Sequence, residues 1–385
     1  MKLLILSPDA YSVFHQDTKY IFGGIEIEAG NHAYGLAQLG LDVHVGTKDQ
    51  GVGTHQINGI TLHPMPGKKG QGYWQRRTTL IGKIRYRLFG DLHDKQTLPD
   101  FFARIKPNVG YMMGMCQEAL QLARYCRQNK IPFVFRAAHD KDFGDEAGSD
   151  KATQDWTFMT MNEVREVIAL SSAVIAQTPY QAELFRSRFN REPELLFPPV
   201  VLNSDSRNVQ KEFDVFWIGR TNSFKRPDVM SAIAKELPDR KFCMVLNKAS
   251  EEEWKRIADN LPKNVTLIES VPAGEIDNYF QKTKIFLSTS LYEGFPNTFL
   301  QAGKYGVPVV SMGSDPNNML TQHGAGVLAG DDQKAVCAAI ENLLTNQDAY
   351  SKASSAARKY VETFHDRNVI SQQLYGILTR KYSVA

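Results

Sequence analysis

Along the 385 residues of the chain, short apolar runs alternate with stretches whose apolar residues recur every three to four positions. That alternation predicts parallel strands covered by amphipathic helices. Leu3–Ser7 reads as a first strand, followed by a long loop to Gly23-Gly24. Ile25, Ala29, His32, Ala33, Leu36 and Ala37 then share one face at helical spacing, Gly40 is placed to stop the helix, and Leu41–Val45 is the next strand. Further strands are predicted at Val109–Met113, Phe133–Arg136 and Ala173–Gln177. Pro198 to Glu212 is polar after its first residues and has no periodicity, which reads as a linker. Beyond it the alternation restarts, with strands at Phe213–Ile218, Phe242–Leu246, Val265–Glu269, Ile285–Thr289 and Val307–Ser311. Helices over Gln333–Leu344, Asp348–Phe364 and Arg367–Tyr382 close the chain.

The pattern is that of an α/β protein with two doubly wound, Rossmann-like parallel sheets facing a central cleft. The expected domains are 1–200, 213–364 and a terminal helical segment, 365–385, that packs back on the N-terminal domain. In such sheets ligands bind beyond the carboxyl ends of the strands, so the strand-end loops are where chemistry is expected.

Composition narrows the classes. Hydrophobic residues at 42% and charged residues at 23% are ordinary globular usage, which excludes disordered and fibrous chains. A net charge of +3 is too mild to imply a nucleic-acid partner. Cys116, Cys126, Cys243 and Cys337 show neither Cys-x-x-Cys spacing nor neighbouring histidines, so no zinc site or disulfide framework is expected. At the N-terminus only Leu3–Leu6 is apolar before Pro8 and Asp9, too short for a secretory signal, and no run approaches the ~20 apolar residues of a membrane span. The expectation is a cytoplasmic protein, with contact at the inner membrane face raised by one segment below.

Four strand-end loops carry candidate chemistry. In Ser288-Thr289-Ser290-Leu291-Tyr292-Glu293-Gly294-Phe295-Pro296-Asn297, a strand ends, a Gly turn follows, and Pro296 suits the first turn of a new helix. The free N–H groups of that helix start make an anion site. Glu293 stands just before it and Gln301 about one turn inside; a carboxylate accepts from sugar hydroxyls, and an amide bonds a ribose. The plainer reading is a helix-capping Glu and a solvated Gln. The second loop follows Gly219 with Arg220 and then Lys225, cations of the types that hold a diphosphate, although basic loop residues are often only solvated. The third is Gly23-Gly24, which opens a helix without the spacing of a dinucleotide fingerprint and reads equally as a plain turn or as a close approach to a ligand. The fourth places His139 after the Phe133–Arg136 strand; Asp140 and Asp142 beside it form an Asp-x-Asp, a weak match to a metal-binding pair.

In this order and spacing the pieces resemble the family 4 glycosyltransferases (glycosyl transferases group 1) of the GT-B fold, which are retaining enzymes. The resemblance runs from Met1 to about Phe364 and rests on Gly23-Gly24, Gly219-Arg220 with Lys225, the Glu293-Gly294-Phe295-Pro296-Asn297 loop, and Ala302 to Val310. It implies an enzyme that moves a sugar from a nucleoside-diphosphate sugar, UDP favoured and GDP next, to a hydroxyl of a glycan, lipid-linked or small-molecule acceptor. By that likeness Arg220 and Lys225 neutralise the donor diphosphate, and Glu293 with the Gly294-Phe295-Pro296 backbone holds the donor sugar. His139 lies near the reacting sugar, and the N-terminal domain faces the acceptor. No cofactor or metal is expected. The family's second Glu holds the ribose; here that position is Gln301, a weaker acceptor by ~1 kcal/mol.

Two other readings stay open: a nucleotide-sugar epimerase on the same fold, and a non-catalytic nucleotide-sugar-binding protein, the latter motivated by Gln301. Lys68 to Phe89 holds Lys68, Lys69, Arg76, Arg77, Lys83, Arg85 and Arg87 with no acid, and Leu80, Ile81, Ile84 and Leu88 share a helical face. Such a helix suits an anionic lipid surface, a phosphorylated or lipid-linked acceptor, or simple packing on its own domain.

Overall fold

The structure is a computed structural model that describes residues 1–15, 23–48, 51–66, 92–144, 159–202, 209–221, 224–248, 250–290, 293 and 295–380. The basic segment 68–89 therefore lies outside the described residues. The chain divides into two compact units. The first comprises the described residues of 1–17, 22–197 and 368–385, and the second runs from Pro198 to Arg367.

The first unit is built on eight strands: β1 (Lys2–Leu6), β2 (Asp42–Lys48), β3 (His55–Ile57), β4 (Ile60–Met65), β5 (Val109–Met113), β6 (Phe133–Arg136), β7 (Ala173–Ala176) and β8 (Glu194–Leu195). Their order across the sheet is β3-β4-β2-β1-β5-β6-β7-β8, and every pairing is parallel except β3 with β4. Strand period two sends alternate side chains to opposite faces. Leu4, Leu6, Met112, Phe133 and Phe135 pack against the helices Leu92–Ile105, Gln117–Gln128 and Met161–Leu170. Leu3, Ile5, Val43, Tyr111 and Val134 face the helices Gly24–Gln38 and Arg367–Thr379. The last helix thus contributes Ile370, Leu374, Ile377 and Leu378 to the core of the first unit.

The second unit holds β9 (Phe213–Arg220), β10 (Phe242–Asn247), β11 (Val265–Ile268), β12 (Thr283–Ser288), β13 (Val309–Ser311) and β14 (Gly326–Leu328) in the order β11-β10-β9-β12-β13-β14, all parallel. The same alternation recurs, with Val215 and Trp217 on one face and Phe216 on the other. In chain order within the unit this is the doubly wound order 3-2-1-4-5-6, whose switch point lies between β9 and β12.

Four differences from the sequence-based expectation have physical causes. The hairpin β3–β4 is an addition: Asn58 and Gly59 both have positive φ, 49° and 80°, the geometry of a two-residue turn that matches strand twist. Ile25 is 40% exposed, whereas Glu28 is buried on the inward face of its helix because Arg136 receives it there. The expected linker begins as packed structure, since Val200 is buried and pairs with Asp366. Pro296 is the residue before its helix, which starts at Asn297. Among the described residues no helix is long and apolar enough to cross a membrane.

Candidate functional site

The switch point of the second unit gathers most of the candidate residues. Gly219 and Arg220 end β9; a loop carries Lys225 and Arg226 to the helix Pro227–Glu236. Next to it, β12 ends in Ser288, and Thr289, Ser290 and Glu293 lead to the helix Asn297–Lys304. Because β9 and β12 are parallel neighbours, both loops leave the same edge of the sheet.

A buried hydroxyl ties the two loops together. The Trp217 indole N–H donates to Thr289 Oγ1 at 2.9 Å, and the Thr289 hydroxyl donates to the Lys225 carbonyl at 2.6 Å and the Arg226 carbonyl at 3.1 Å. Thr289 is wholly buried, so each of these bonds is made away from competing water. Arg226 sits in the left-handed region, φ 53°, and its guanidinium reaches Asp331 at 2.7 Å. Gly219 is required by contact rather than by φ: a Cβ there would lie 2.6 Å from the Trp217 ring.

This anchoring brings Lys225 and Glu293 into an ion pair, and Glu293 Oε1 also accepts from the Ser290 hydroxyl at 2.7 Å. Both side chains are partly exposed, at 23% and 16%, so the pair remains open to solvent. The Lys225 ammonium also stands 5.4 Å from the centre of the Phe224 ring. Arg220 is exposed and makes no ion pair among the described residues.

The helix Asn297–Lys304 begins without any side-chain cap; the Phe299 N–H turns back to the Pro296 carbonyl at 2.9 Å, which leaves the N–H groups of Asn297 and Thr298 to face another acceptor. Phe295 is buried against His365, ring centroids 4.8 Å apart, and holds the loop to the core. Gln301 and Asn297 are half-buried on that helix, and Gly294 lies outside the described residues.

In the first unit the candidate residues are engaged locally. The Gly23 N–H donates to Glu26 Oε2 at 2.7 Å at the start of the helix Gly24–Gln38. His139 precedes a short 3-10 turn, Asp140–Phe143, and its Nδ1 accepts from the Lys141 N–H at 3.1 Å. That bond sets the neutral tautomer with the proton on Nε2. Asp142 is buried and accepts from the N–H groups of Ala138 at 2.7 Å and His139 at 3.1 Å, so it caps the turn. Burial raises the Asp140 carboxyl above its ordinary value, against the lowering influence of Gln181, His139 and Arg188. The Asp-x-Asp therefore splits into a capping residue and a burial-perturbed one. Among the described residues no group of three His, Cys, Asp or Glu is arranged to hold a metal ion.

All four cysteines are free; burial pushes the Cys126 and Cys243 thiols up to about 12 and Cys116 well above its usual range, which leaves none of the three activated as a nucleophile.

Beneath the strand ends of the first unit lies a buried polar cluster. Arg136, the last residue of β6, donates from Nε to Glu28 at 2.6 Å and from Nη1 to the Leu196 carbonyl at 2.7 Å. The Tyr111 hydroxyl and His32 Nδ1 are 2.9 Å apart. Burial, and then the Arg136 charge, hold His32 well below the ordinary imidazole value, so it is neutral. Glu28 is raised by the same burial, against the opposing pull of Arg136.

Comparison with known proteins agrees with the architecture. Residues 203–360 match the family model described as Glycosyl transferases group 1. The chain is 24% identical over 168 residues to the Vi polysaccharide biosynthesis protein VipC/TviE of Salmonella typhi, an alignment covering 44% of this chain and 27% of that protein. It is 22% identical over 214 residues to an uncharacterized glycosyltransferase of Haemophilus influenzae, covering 53% and 60%. It thus spans about a quarter of the first relative's length and less than two thirds of the second's. Among solved structures, a sucrose-phosphate synthase from Thermosynechococcus elongatus superposes with a TM-score of 0.72 at 14% identity, covering 98% of both chains. Anabaena Alr3699/HepE in complex with UDP and glucose gives 0.69 at 16% identity, covering 98% of this chain and 99% of that one. At such identities the likeness shows the fold, that of the GT-B glycosyltransferases with two Rossmann-like domains.

Proposed function

We propose that the chain is a retaining glycosyltransferase that uses a nucleoside-diphosphate sugar, UDP-linked first and GDP-linked next, and extends a glycan or lipid-linked acceptor. The observation that carries this reading is the Lys225–Glu293 pair at the β9/β12 switch point, beside exposed Arg220 and an uncapped helix start. Two cations and free N–H groups suit a diphosphate, and a carboxylate held among them suits sugar hydroxyls. The UDP and glucose bound by the Anabaena protein support trying UDP-glucose first. The name of the Salmonella typhi relative supports a polysaccharide acceptor.

In the reaction the bond from the anomeric carbon to the diphosphate oxygen breaks and the acceptor oxygen takes its place on the same face. The leaving phosphate accepts the acceptor's proton, so no enzyme nucleophile is needed. Arg220 and Lys225 stabilise the charge that develops on the diphosphate. Glu293 orients the sugar, Gln301 bonds the ribose, and we assign His139 a part at the reacting sugar. Gly23 and Gly24 are assigned to close backbone approach to the donor, with the Gly23 N–H held by Glu26 at the helix start.

Incubating the full chain with a panel of UDP- and GDP-sugars, with and without chelator, tests the reading by proton NMR. Release of the nucleoside diphosphate with a sugar product of the donor's own anomeric configuration is expected, undiminished by chelator. An isomerised donor would mean an epimerase. Saturable binding without any donor turnover would mean a binding protein.

A further inference from the structure

At the far edge of the first sheet, away from any residue assigned above, two histidines meet with no ion pair to either among the described residues. His15 ends the helix Tyr11–His15, and His55 opens β3. His15 Nδ1 lies 3.1 Å from the Tyr11 carbonyl and His55 Nδ1 lies 2.9 Å from the Gly53 carbonyl. A carbonyl oxygen only accepts, so each Nδ1 carries the hydrogen. Each neutral ring then presents a bare lone pair at Nε2, and the two Nε2 atoms stand 2.9 Å apart. Two acceptors at that distance repel unless a cation lies between them.

We propose that His15 and His55 are the two protein ligands of a divalent transition-metal ion. Backbone carbonyls on both Nδ1–H groups are the outer partners that fix metal-binding imidazoles in the Nε2 tautomer. With metal–nitrogen bonds of roughly 2.0–2.1 Å, an Nε2 spacing of 2.9 Å corresponds to an angle at the metal of about 90°. That is the cis angle of square-planar or octahedral sites, so Cu2+ and Ni2+ fit better than tetrahedral Zn2+. The ring centroids are 4.9 Å apart and the planes are tilted by 56°, so the two rings are not stacked and meet through their Nε2 atoms. Tyr11 stacks on His15 with centroids 4.0 Å apart and 13° between planes, which fixes that ring. Lys48, which with Tyr11 and His55 lines a surface depression here, is paired with Asp9, so its charge is offset. No third His, Cys, Asp or Glu joins the pair among the described residues. A bound ion would tie the loop after β1 to the β3–β4 hairpin.

The test uses the full chain without a polyhistidine tag, stripped with chelator and titrated with Ni2+ by calorimetry. One ion per chain is expected, with a rise in melting temperature. His15→Gln and His55→Gln should each weaken binding by more than about tenfold, since even outer partners of metal ligands are worth that much. His63 Nε2 lies 2.7 Å from His44 Nδ1 in a separate pair on β2 and β4, so His63→Gln should leave binding unchanged. The electron paramagnetic resonance spectrum of the wild type with one equivalent of Cu2+ should show hyperfine coupling to two imidazole nitrogens, a reading that needs no variant to fold. Absence of saturable binding, which would leave a shared proton as the cation, overturns the proposal. So does binding insensitive to both substitutions, or a spectrum without two nitrogens.

Discussion

The two units carry polar residues at equivalent places, the carboxyl ends of their central strands, and use them in opposite ways. In the first unit the Gly23 N–H, His139 Nδ1 and both N–H groups beside Asp142 bond within their own loops, over a wholly buried Arg136–Glu28 pair. In the second, Thr289 and Trp217 are buried as struts while Arg220, Lys225, Glu293 and the start of the helix Asn297–Lys304 face outward. Buried charge that is locally satisfied fixes a backbone; charge held at a rim by buried neutral groups keeps its capacity for a ligand. The difference separates the Arg136–Glu28 scaffold from the proposed diphosphate rim at Arg220, Lys225 and Glu293 better than residue type does, because both units offer Arg and Glu.

Breaking the scaffold should have the largest effect. Arg136→Met removes one partner of a buried pair and leaves Glu28 uncompensated, a loss of about 3–5 kcal/mol. Denaturant unfolding of the full chain should show an early transition from the first unit. Pairing it with Glu28→Gln should recover part of that loss, because the orphaned charge goes. An unchanged midpoint for Arg136→Met would mean that the pair contributes nothing to the first unit.

The rim should respond in activity instead. Glu293→Gln is expected to lower transfer by more than tenfold, roughly 1.4 kcal/mol of barrier, with the unfolding midpoint kept. Lys225→Ala should act similarly, and the double variant should cost less than the two losses added, since the side chains bond each other. Strict additivity would mean that the pair is not a unit in the working enzyme.

How far the sequence disclosed this contrast depends on the distance over which each contact acts. Strand positions were legible because period-two apolar runs are local, and the Glu293 loop because its turn and helix start are contiguous. The Trp217–Thr289 bond joins residues 72 apart, and Arg136–Glu28 joins residues 108 apart; no local pattern reveals such partners. An Arg inside the apolar run Phe133–Arg136 was the one visible hint of the second. The β3–β4 hairpin is encoded in Asn58-Gly59, but β3 is only three residues long and offers too little alternation to mark it as a strand. A proline suits both the first turn and the position before it, so Pro296 alone does not distinguish a helix start at 296 from the observed start at Asn297.

Acid should reach the scaffold before the rim. Burial holds His32 well below the ordinary imidazole value and lowers His63 to about 4. A histidine with a depressed native value binds its proton first in the unfolded chain, so stability is full above the unfolded value of about 6.5 and falls as pH drops below it. Unfolding of the first unit followed from pH 7.5 to 5 should move to lower denaturant, with the second unit changing less. His63→Gln should flatten part of that slope. A second unit that loses stability first would reverse the assignment.

The smallest effect is expected at Gln301, which sits one turn into the helix Asn297–Lys304 on the outward side of the contrast. Gln301→Glu offers ribose hydroxyls a charged acceptor in place of a neutral one, worth about 1 kcal/mol, or several-fold in donor affinity. The nearby cation on the same helix, Lys304, is already paired with Asp277 at 2.7 Å, so the new carboxylate should remain available to a ligand. The helix dipole contributes little, because its influence fades beyond the first turn. Titrating both forms with UDP-glucose and with UDP by calorimetry should show tighter binding of each, since both carry the ribose. A Glu variant that binds both more weakly would mean that Gln301 donates its amide hydrogen to the ligand, and the ribose contact would then have to be drawn the other way round.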